Sequence, residues 1–233
     1  MPSDERHELA RRVFEHFGIV AVDFLRVKER TPQEWDEMTH EGMEHLERAL
    51  ALGKGVIAIT GHFGNWERLP TFLARRGIPG MVVARDSDDQ EMTEFVNEFR
   101  AHGGWGVIPR GNSTRPILQA LKRNQLVGIL PDQNSSEIFL PFFGHPCGTV
   151  LGPGVLAERS SAPVVPLWCV HVGPGRYHVI VEPPLEPTGP SGVRGEGMAR
   201  AINLALEGII RRYPEQWLWF HNRWKSAKQR GLI

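Results

Sequence analysis

The sequence predicts an α/β fold: a single domain with a central mixed, mainly parallel sheet flanked by helices. Three observations predict it. Apolar runs without alternation, Val56 to Thr60, Met81 to Ala84, Gly106 to Pro109 and Leu126 to Leu130, read as strands buried on both faces. Helix-length amphipathic segments lie between them. Glycine and proline punctuate the boundaries. Within the 233 residues the reading separates N-terminal helices (1–52), an α/β core (53–188), and a C-terminal helix with a basic tail (195–233).

Each element follows from local pattern. Residues 4–27 read as an amphipathic helix or helix pair, with Leu9, Val13, Phe14 and Phe17 at helical spacing and Gly18 as a break or kink. Thr31-Pro32-Gln33-Glu34 is a capping-box start. It predicts one helix carrying Trp35, Met38, Met43 and Leu46 to about Leu52, ended by Gly53-Lys54-Gly55. A helix over 66–76 stops at Gly77, and another is expected over 89–101, with Met92, Phe95, Val96 and Phe99 on one stripe. Helices also fit 115–123, 152–159 and 196–212. Pro141-Phe142-Phe143-Gly144 reads as an apolar loop that fills core or lines an acyl pocket. Pro163 to Val170 and Tyr177 to Val181 read as strands of a hairpin across Gly173-Pro174-Gly175.

The chemistry concentrates where strands end. Gly61-His62-Phe63-Gly64-Asn65-Trp66-Glu67 follows the first core strand and leads into a helix, with Asn65 as a candidate N-cap. Such a turn suits a histidine base held by a carboxylate, or a capped turn with an incidental histidine. His62 and Glu67 are too far apart in phase to share a helix face. They would meet only if His62 lies in the turn and Glu67 in the first helical turn. Arg85, Arg110 and Asp132-Gln133 also follow strands directly. Ligands of open α/β sheets gather at the carboxyl ends of strands, so four loops would deliver these side chains to one edge.

Composition limits the function classes. Formal net charge is zero, which argues against a dedicated nucleic-acid binder. The tail from Arg211 is basic and reads either as a solvated segment or as a contact for an anionic membrane or acidic protein. Cys147 and Cys169 form no C-x-x-C or metal pattern, which fits a reducing compartment. No His-Glu-x-x-His or Gly-x-Ser-x-Gly occurs, so zinc hydrolysis and a serine elbow are not expected. No run of about 18 apolar residues spans a bilayer, and the polar start is not a signal peptide.

The segment 61–67 matches the histidine-x4-acid motif of glycerolipid-type acyltransferases. Further segments occur in the order found in one branch. They are Arg85 after its strand, Val107-Ile108-Pro109-Arg110, Gly128-Ile129-Leu130-Pro131-Asp132-Gln133, Pro141 to Gly144, and Pro214-Glu215-Gln216-Trp217-Leu218-Trp219. The chain from about residue 10 to 225 resembles the bacterial lipid A biosynthesis (lauroyl/myristoyl) acyltransferase family. The resemblance implies a glycerol-3-phosphate acyltransferase-like fold and transfer of a fatty acyl chain to a glycolipid hydroxyl. The donor would be acyl carrier protein, or coenzyme A, with no other cofactor.

The resemblance makes His62 the general base and Glu67 its orienting partner. Arg85, Arg100, Arg110 and Asp132 match polar residues at or near the family's active site, and Gln133 and Asn65 join them as candidate substrate-binding residues. The acceptor would be a lipid A precursor or a mannosylated inositol lipid. A thioesterase or lipase, or a module that binds lipid or acyl carrier protein without turnover, is the alternative. The expected location is the cytoplasmic face of the bacterial inner membrane. Family members normally begin with an apolar membrane helix and a basic stretch, which this sequence lacks. It is therefore either trimmed or docks peripherally through Ile19 to Leu25 and the basic tail.

Overall fold

The computed structural model describes residues 2–26, 31, 33–34, 37–84, 104–109, 111 and 113–233. In chain order the strands are β1 (Thr39–Glu41), β2 (Val56–Ile59), β3 (Gly80–Ala84), β4 (Gly106–Pro109), β5 (Leu126–Ile129), β6 (Ile138–Phe142), β7 (His145–Thr149), β8 (Val164–Gly173) and β9 (Arg176–Val181). The helices are α1 (Ser3–Leu25), α2 (Met43–Ala51), α3 (Arg68–Ala74), α4 (Thr114–Lys122), α5 (Gly152–Ser160), α6 (Glu196–Arg212) and α7 (Lys225–Gln229).

Seven strands form one sheet in the order β1-β9-β8-β2-β5-β3-β4. Every described pair in it is parallel except the β8–β9 hairpin. This is the mixed, mainly parallel sheet that the apolar runs predict. Residues alternate between its faces. Ile57, Ile59 and Val127 join a core with Ile117 and Leu121 of α4 and Ile202 and Leu206 of α6. Val56, Ala58 and Leu126 join a second core with Leu46 of α2 and Leu69, Phe72 and Leu73 of α3. The central strands β2 and β5 are apolar throughout because both faces are covered, while the edge strands β1 and β4 are mostly exposed.

Strand order decides where the site forms. From β2 the chain runs outward to β3 and β4, returns as β5 between β2 and β3, and then adds β8 on the other flank of β2. The carboxyl ends of β2 and β5 thus lie side by side at a crossover. Their register carries a constant offset of 70 residues, Val56 to Leu126 through Ile59 to Ile129.

Several expectations change. The helix expected from Thr31 to Leu52 is interrupted. Its capping box forms, with Thr31 N–H donating to Glu34 Oε2 at 2.8 Å and Glu34 N–H to Thr31 Oγ1 at 3.4 Å. Residues 39–41 then become an edge strand on β9, and Gly42 at φ 73° redirects the chain into α2. Backbone pairing with β9 supplies a partner that local helix propensity does not register. Conversely, α1 runs through Gly18 unbroken, since one exposed glycine costs a helix only about 1 kcal/mol. Of the loop expected at Pro141 to Gly144, Pro141 and Phe142 end β6, Phe143-Gly144 turn into antiparallel β7, and Phe142 fills core. The helix expected over 89–101 lies outside the described residues.

Candidate active site

The extension of β2 and β5 past their last paired residues brings His62 beside Asp132, still at an offset of 70. The His62 backbone N–H donates to Asp132 Oδ2 at 2.8 Å, and the imidazole Nδ1 lies 2.9 Å from Asp132 Oδ1. Trp217 Nε1–H donates to Oδ2 at 3.0 Å. Asp132 is 2% exposed. Burial alone would push its carboxyl up. The His62 side-chain bond and charge, the Trp217 indole and the His62 backbone N–H outweigh that and hold it below the usual carboxylate range. An ionised carboxylate can only accept, so Nδ1 carries the proton and Nε2 the lone pair. Gln133 Nε2 sits 3.4 Å from that Nε2.

Two glycines allow this approach. An added Cβ on Gly61 would meet the Asp132 carboxyl at 3.2 Å. Gly64 has φ 58°, and a Cβ there would meet the Cys169 carbonyl oxygen at 2.0 Å.

The turn is held from two sides. On one, the chain after α6 runs alongside it: Gly64 N–H donates to Gln216 O at 2.8 Å and Leu218 N–H to His62 O at 2.9 Å. The same tail grips three consecutive residues after β5. Trp217 holds Asp132, Arg223 Nη1 donates to Gln133 O at 3.0 Å, and His221 Nε2 accepts from Asn134 N–H at 2.8 Å. Arg223 is fully buried. Burial lowers the His221 pKa, which keeps its Nε2 free to accept. This part of the basic tail is packed interior, while Lys225, Lys228 and Arg230 stay exposed. On the other side, Asp23 of α1 accepts from Asn65 Nδ2 at 3.1 Å, Arg68 Nη2 at 3.1 Å and the Tyr177 hydroxyl. His16 Nε2 lies 3.3 Å from Gly64 O.

His62 opens on a cleft of about 610 Å³. Trp66, Glu67 and Gln133 line it with His62, and the rest of the lining is mostly apolar, from α3, α5 and the strand ends. The Trp66 ring is 5.2 Å from the imidazole. Among the described residues, no group of three His, Cys, Asp or Glu side chains is placed to hold a metal ion. Both cysteines are buried, and burial pushes the Cys147 thiol up to about 11, so neither is poised as a nucleophile.

A family model described as bacterial lipid A biosynthesis acyltransferase matches residues 1–226. The chain belongs to that family. It is 26% identical over 193 residues to a phosphatidylinositol mannoside acyltransferase of Mycobacterium tuberculosis (strain CDC 1551 / Oshkosh), covering 78% of this chain and 58% of that protein. It is 26% identical over 237 residues to a lipid A biosynthesis lauroyltransferase of Escherichia coli (strain K12), covering 98% and 76%. A lipid A biosynthesis palmitoleoyltransferase of the same strain is 28% identical over 235 residues, covering 96% and 74%. The matched region thus spans little more than half the length of the mycobacterial relative.

Within this acyltransferase family member, the expected site residues separate. His62, Glu67 and Gln133 line one cleft, and Asp132 lies directly behind His62. The sequence reading gave the imidazole's orienting carboxylate to Glu67. The carboxylate on Nδ1 is Asp132, because strand register sets that contact, while Glu67 Oε1 accepts from the Trp66 indole at 3.1 Å. Asn65 is neither the N-cap nor in the cleft: Glu67 occupies the cap position, and Asn65 is buried against Asp23. Arg85, Arg100 and Arg110 lie outside the described residues, although β3 and β4 end one residue before Arg85 and Arg110. Sequence reasoning missed Asp23, His221 and Arg223. The run Trp217 to Arg223 was visible as aromatic and then basic, but its contacts with residues 132–134 were not.

Proposed function

We propose that this chain is an O-acyltransferase that moves a fatty acyl group from a thioester donor to a glycolipid hydroxyl. The observation that carries the reading is the 2.9 Å contact between His62 Nδ1 and the buried Asp132 carboxylate, which leaves Nε2 as a base at the cleft. The acceptor hydroxyl takes the place Gln133 now holds beside Nε2. As its oxygen attacks the thioester carbonyl, Nε2 takes its proton and Asp132 stabilises the imidazolium. The carbon–sulfur bond then breaks, and the imidazolium returns the proton to the departing thiolate. Acyl group, proton and thiol balance without a covalent enzyme intermediate.

The apolar part of the cleft takes the acyl chain, and its volume lies in the range of small-molecule sites. The donor is acyl carrier protein or coenzyme A. The acceptor is a lipid A precursor or a mannosylated inositol lipid, the two classes in the relatives' names. Arg85 and Arg110, next in sequence after the β3 and β4 ends, suit its phosphates, since a guanidinium fork matches phosphate oxygens. The working location is the cytoplasmic face of the inner membrane. No described helix is long and apolar enough to cross a membrane. The exposed Phe14, Val22 and Leu25 of α1, with the Phe220 ring tilted against Phe14 at 4.8 Å, give an apolar surface near the cleft for peripheral docking.

The test is acyl transfer by purified protein with each donor and each acceptor class. His62→Ala should lose roughly 10²–10⁴ in rate while remaining folded. Near-normal transfer by that variant would remove His62 from the chemistry. Donor hydrolysis that ignores every acceptor would identify a thioesterase instead.

A further inference from the structure

Gly128 sits mid-sheet on β5, with Ala58 and Val82 as its neighbours across the strands. Nothing described in the fold demands glycine there. Its φ lies outside the left-handed region. An added Cβ would meet Val82 Cγ1 at 3.5 Å, Trp105 Cζ3 at 3.6 Å and the Met81 carbonyl oxygen at 3.7 Å, all ordinary contacts. Gly80, one strand over, differs: a Cβ there would strike the Trp105 ring at 2.4 Å. Gly80 makes room for Trp105, while the space at Gly128 is left to the cleft. An interior glycine weakens a strand, and such glycines mark places where a ligand approaches the backbone.

Around this gap the α3-facing side of the sheet forms a trough. Successive residues on that face stand about 6.6 Å apart along a strand. Toward His62 on this face is Thr60, two residues before it, with a buried hydroxyl that has no hydrogen-bond partner among the described residues. Ala58, Gly128 and Val82 form the floor, and Leu69 and Leu73 of α3 cover it. Trp105 closes the far end, 5% exposed, its indole N–H bonded to Ile78 O at 3.1 Å and its ring over Gly80.

We propose that Gly128 and Trp105 set the length of fatty chain this protein accepts. The thioester carbonyl lies at Thr60 beside His62, where the free hydroxyl can donate to it. The chain crosses Gly128, and its end meets the Trp105 ring. This rests on the acyltransferase reading.

The experiment is calorimetric binding of non-reactive S-alkyl thioethers, graded in chain length and carried on coenzyme A and on acyl carrier protein. The probes are offered to the native protein, Gly128→Ala, Gly128→Leu and Trp105→Leu. Each methylene denied burial costs about fourfold in affinity. Gly128→Leu should therefore weaken the longest chains by roughly a hundredfold and spare the shortest, with Gly128→Ala intermediate. Trp105→Leu should move the optimum to longer chains. Gly128→Ala keeps the test open should the larger substitutions disturb folding. An unchanged length profile in folded Gly128 variants overturns the proposal. If the native protein binds no thioether of any length, the acyltransferase reading falls and this inference with it.

Discussion

Two aspartates flank the His62 turn, Asp132 buried and Asp23 partly so, and they are built alike. Asp23 accepts from an amide, a guanidinium and a phenol; Asp132 accepts from an indole, a backbone N–H and an imidazole. The difference is the partner that can change its charge. The Arg68 guanidinium pairs with Asp23 at 3.1 Å, and with the Tyr177 hydroxyl on the same carboxylate this ties α1 and β9 to the turn. His62 offers an imidazole, the side chain suited to taking up and releasing a proton in catalysis, and lines a cleft. The same hydrogen-bond architecture thus serves anchorage on one side and proton transfer on the other. Bond number alone would not tell them apart.

Substitutions should separate the two sides, and the largest effect is expected on turnover. Asp132→Asn should cost about 10²–10⁴ in kcat, because an amide can donate to Nδ1 and invert the tautomer. Its Tm should stay close to the native value. A variant with native kcat would reduce Asp132 to a second anchor. Asp23→Ala should do the opposite, losing about 3–5 kcal/mol in denaturant unfolding by removing the carboxylate that pairs with buried Arg68, while the folded fraction keeps kcat within several-fold.

A pH titration of stability sharpens the anchoring side. Burial lowers the His16 pKa to about 4 against an ordinary 6.5. The folded state therefore prefers neutral His16, and the unfolded chain binds the extra proton between those values. Its contribution, of order 3 kcal/mol, is complete above about pH 6.5 and is lost as pH falls toward 4. His16→Asn should flatten that segment of the curve. The smallest expected effect is at Arg223, which acts on the site through the Gln133 carbonyl. Arg223→Met should cost about 1–3 kcal/mol from unsatisfied buried carbonyls and lower kcat only several-fold. A loss as large as that of Asp132→Asn would place Arg223 in the chemistry.

Local chemistry was legible in the sequence wherever it runs along the chain. The apolar runs gave β2, β3, β4 and β5, and the turn after β2 stood out through His62, its glycines and Glu67. What could not be read was set by pairing. β1 exists because β9 offers backbone partners to residues 39–41, whose own pattern favours helix. The His62–Asp132 contact depends on a register between strands 70 residues apart, and no spacing within the motif encodes it. Both residues were visible at strand ends. Only the order of β2 and β5 makes them neighbours, and Glu67, nearer in sequence, drew the assignment instead. The tail misled for a related reason: Arg223 counts as surface charge in a sequence, yet three backbone and side-chain acceptors bury it.

The central claim is that Asp132, rather than Glu67, fixes the His62 imidazole. Nitrogen-15 NMR of labelled histidine reads the ring tautomer directly in the native protein, Asp132→Asn and Glu67→Gln. The geometry predicts a His62 ring protonated at Nδ1 in the native protein and in Glu67→Gln, with that state lost in Asp132→Asn. A tautomer that survives Asp132→Asn and changes in Glu67→Gln would contradict it.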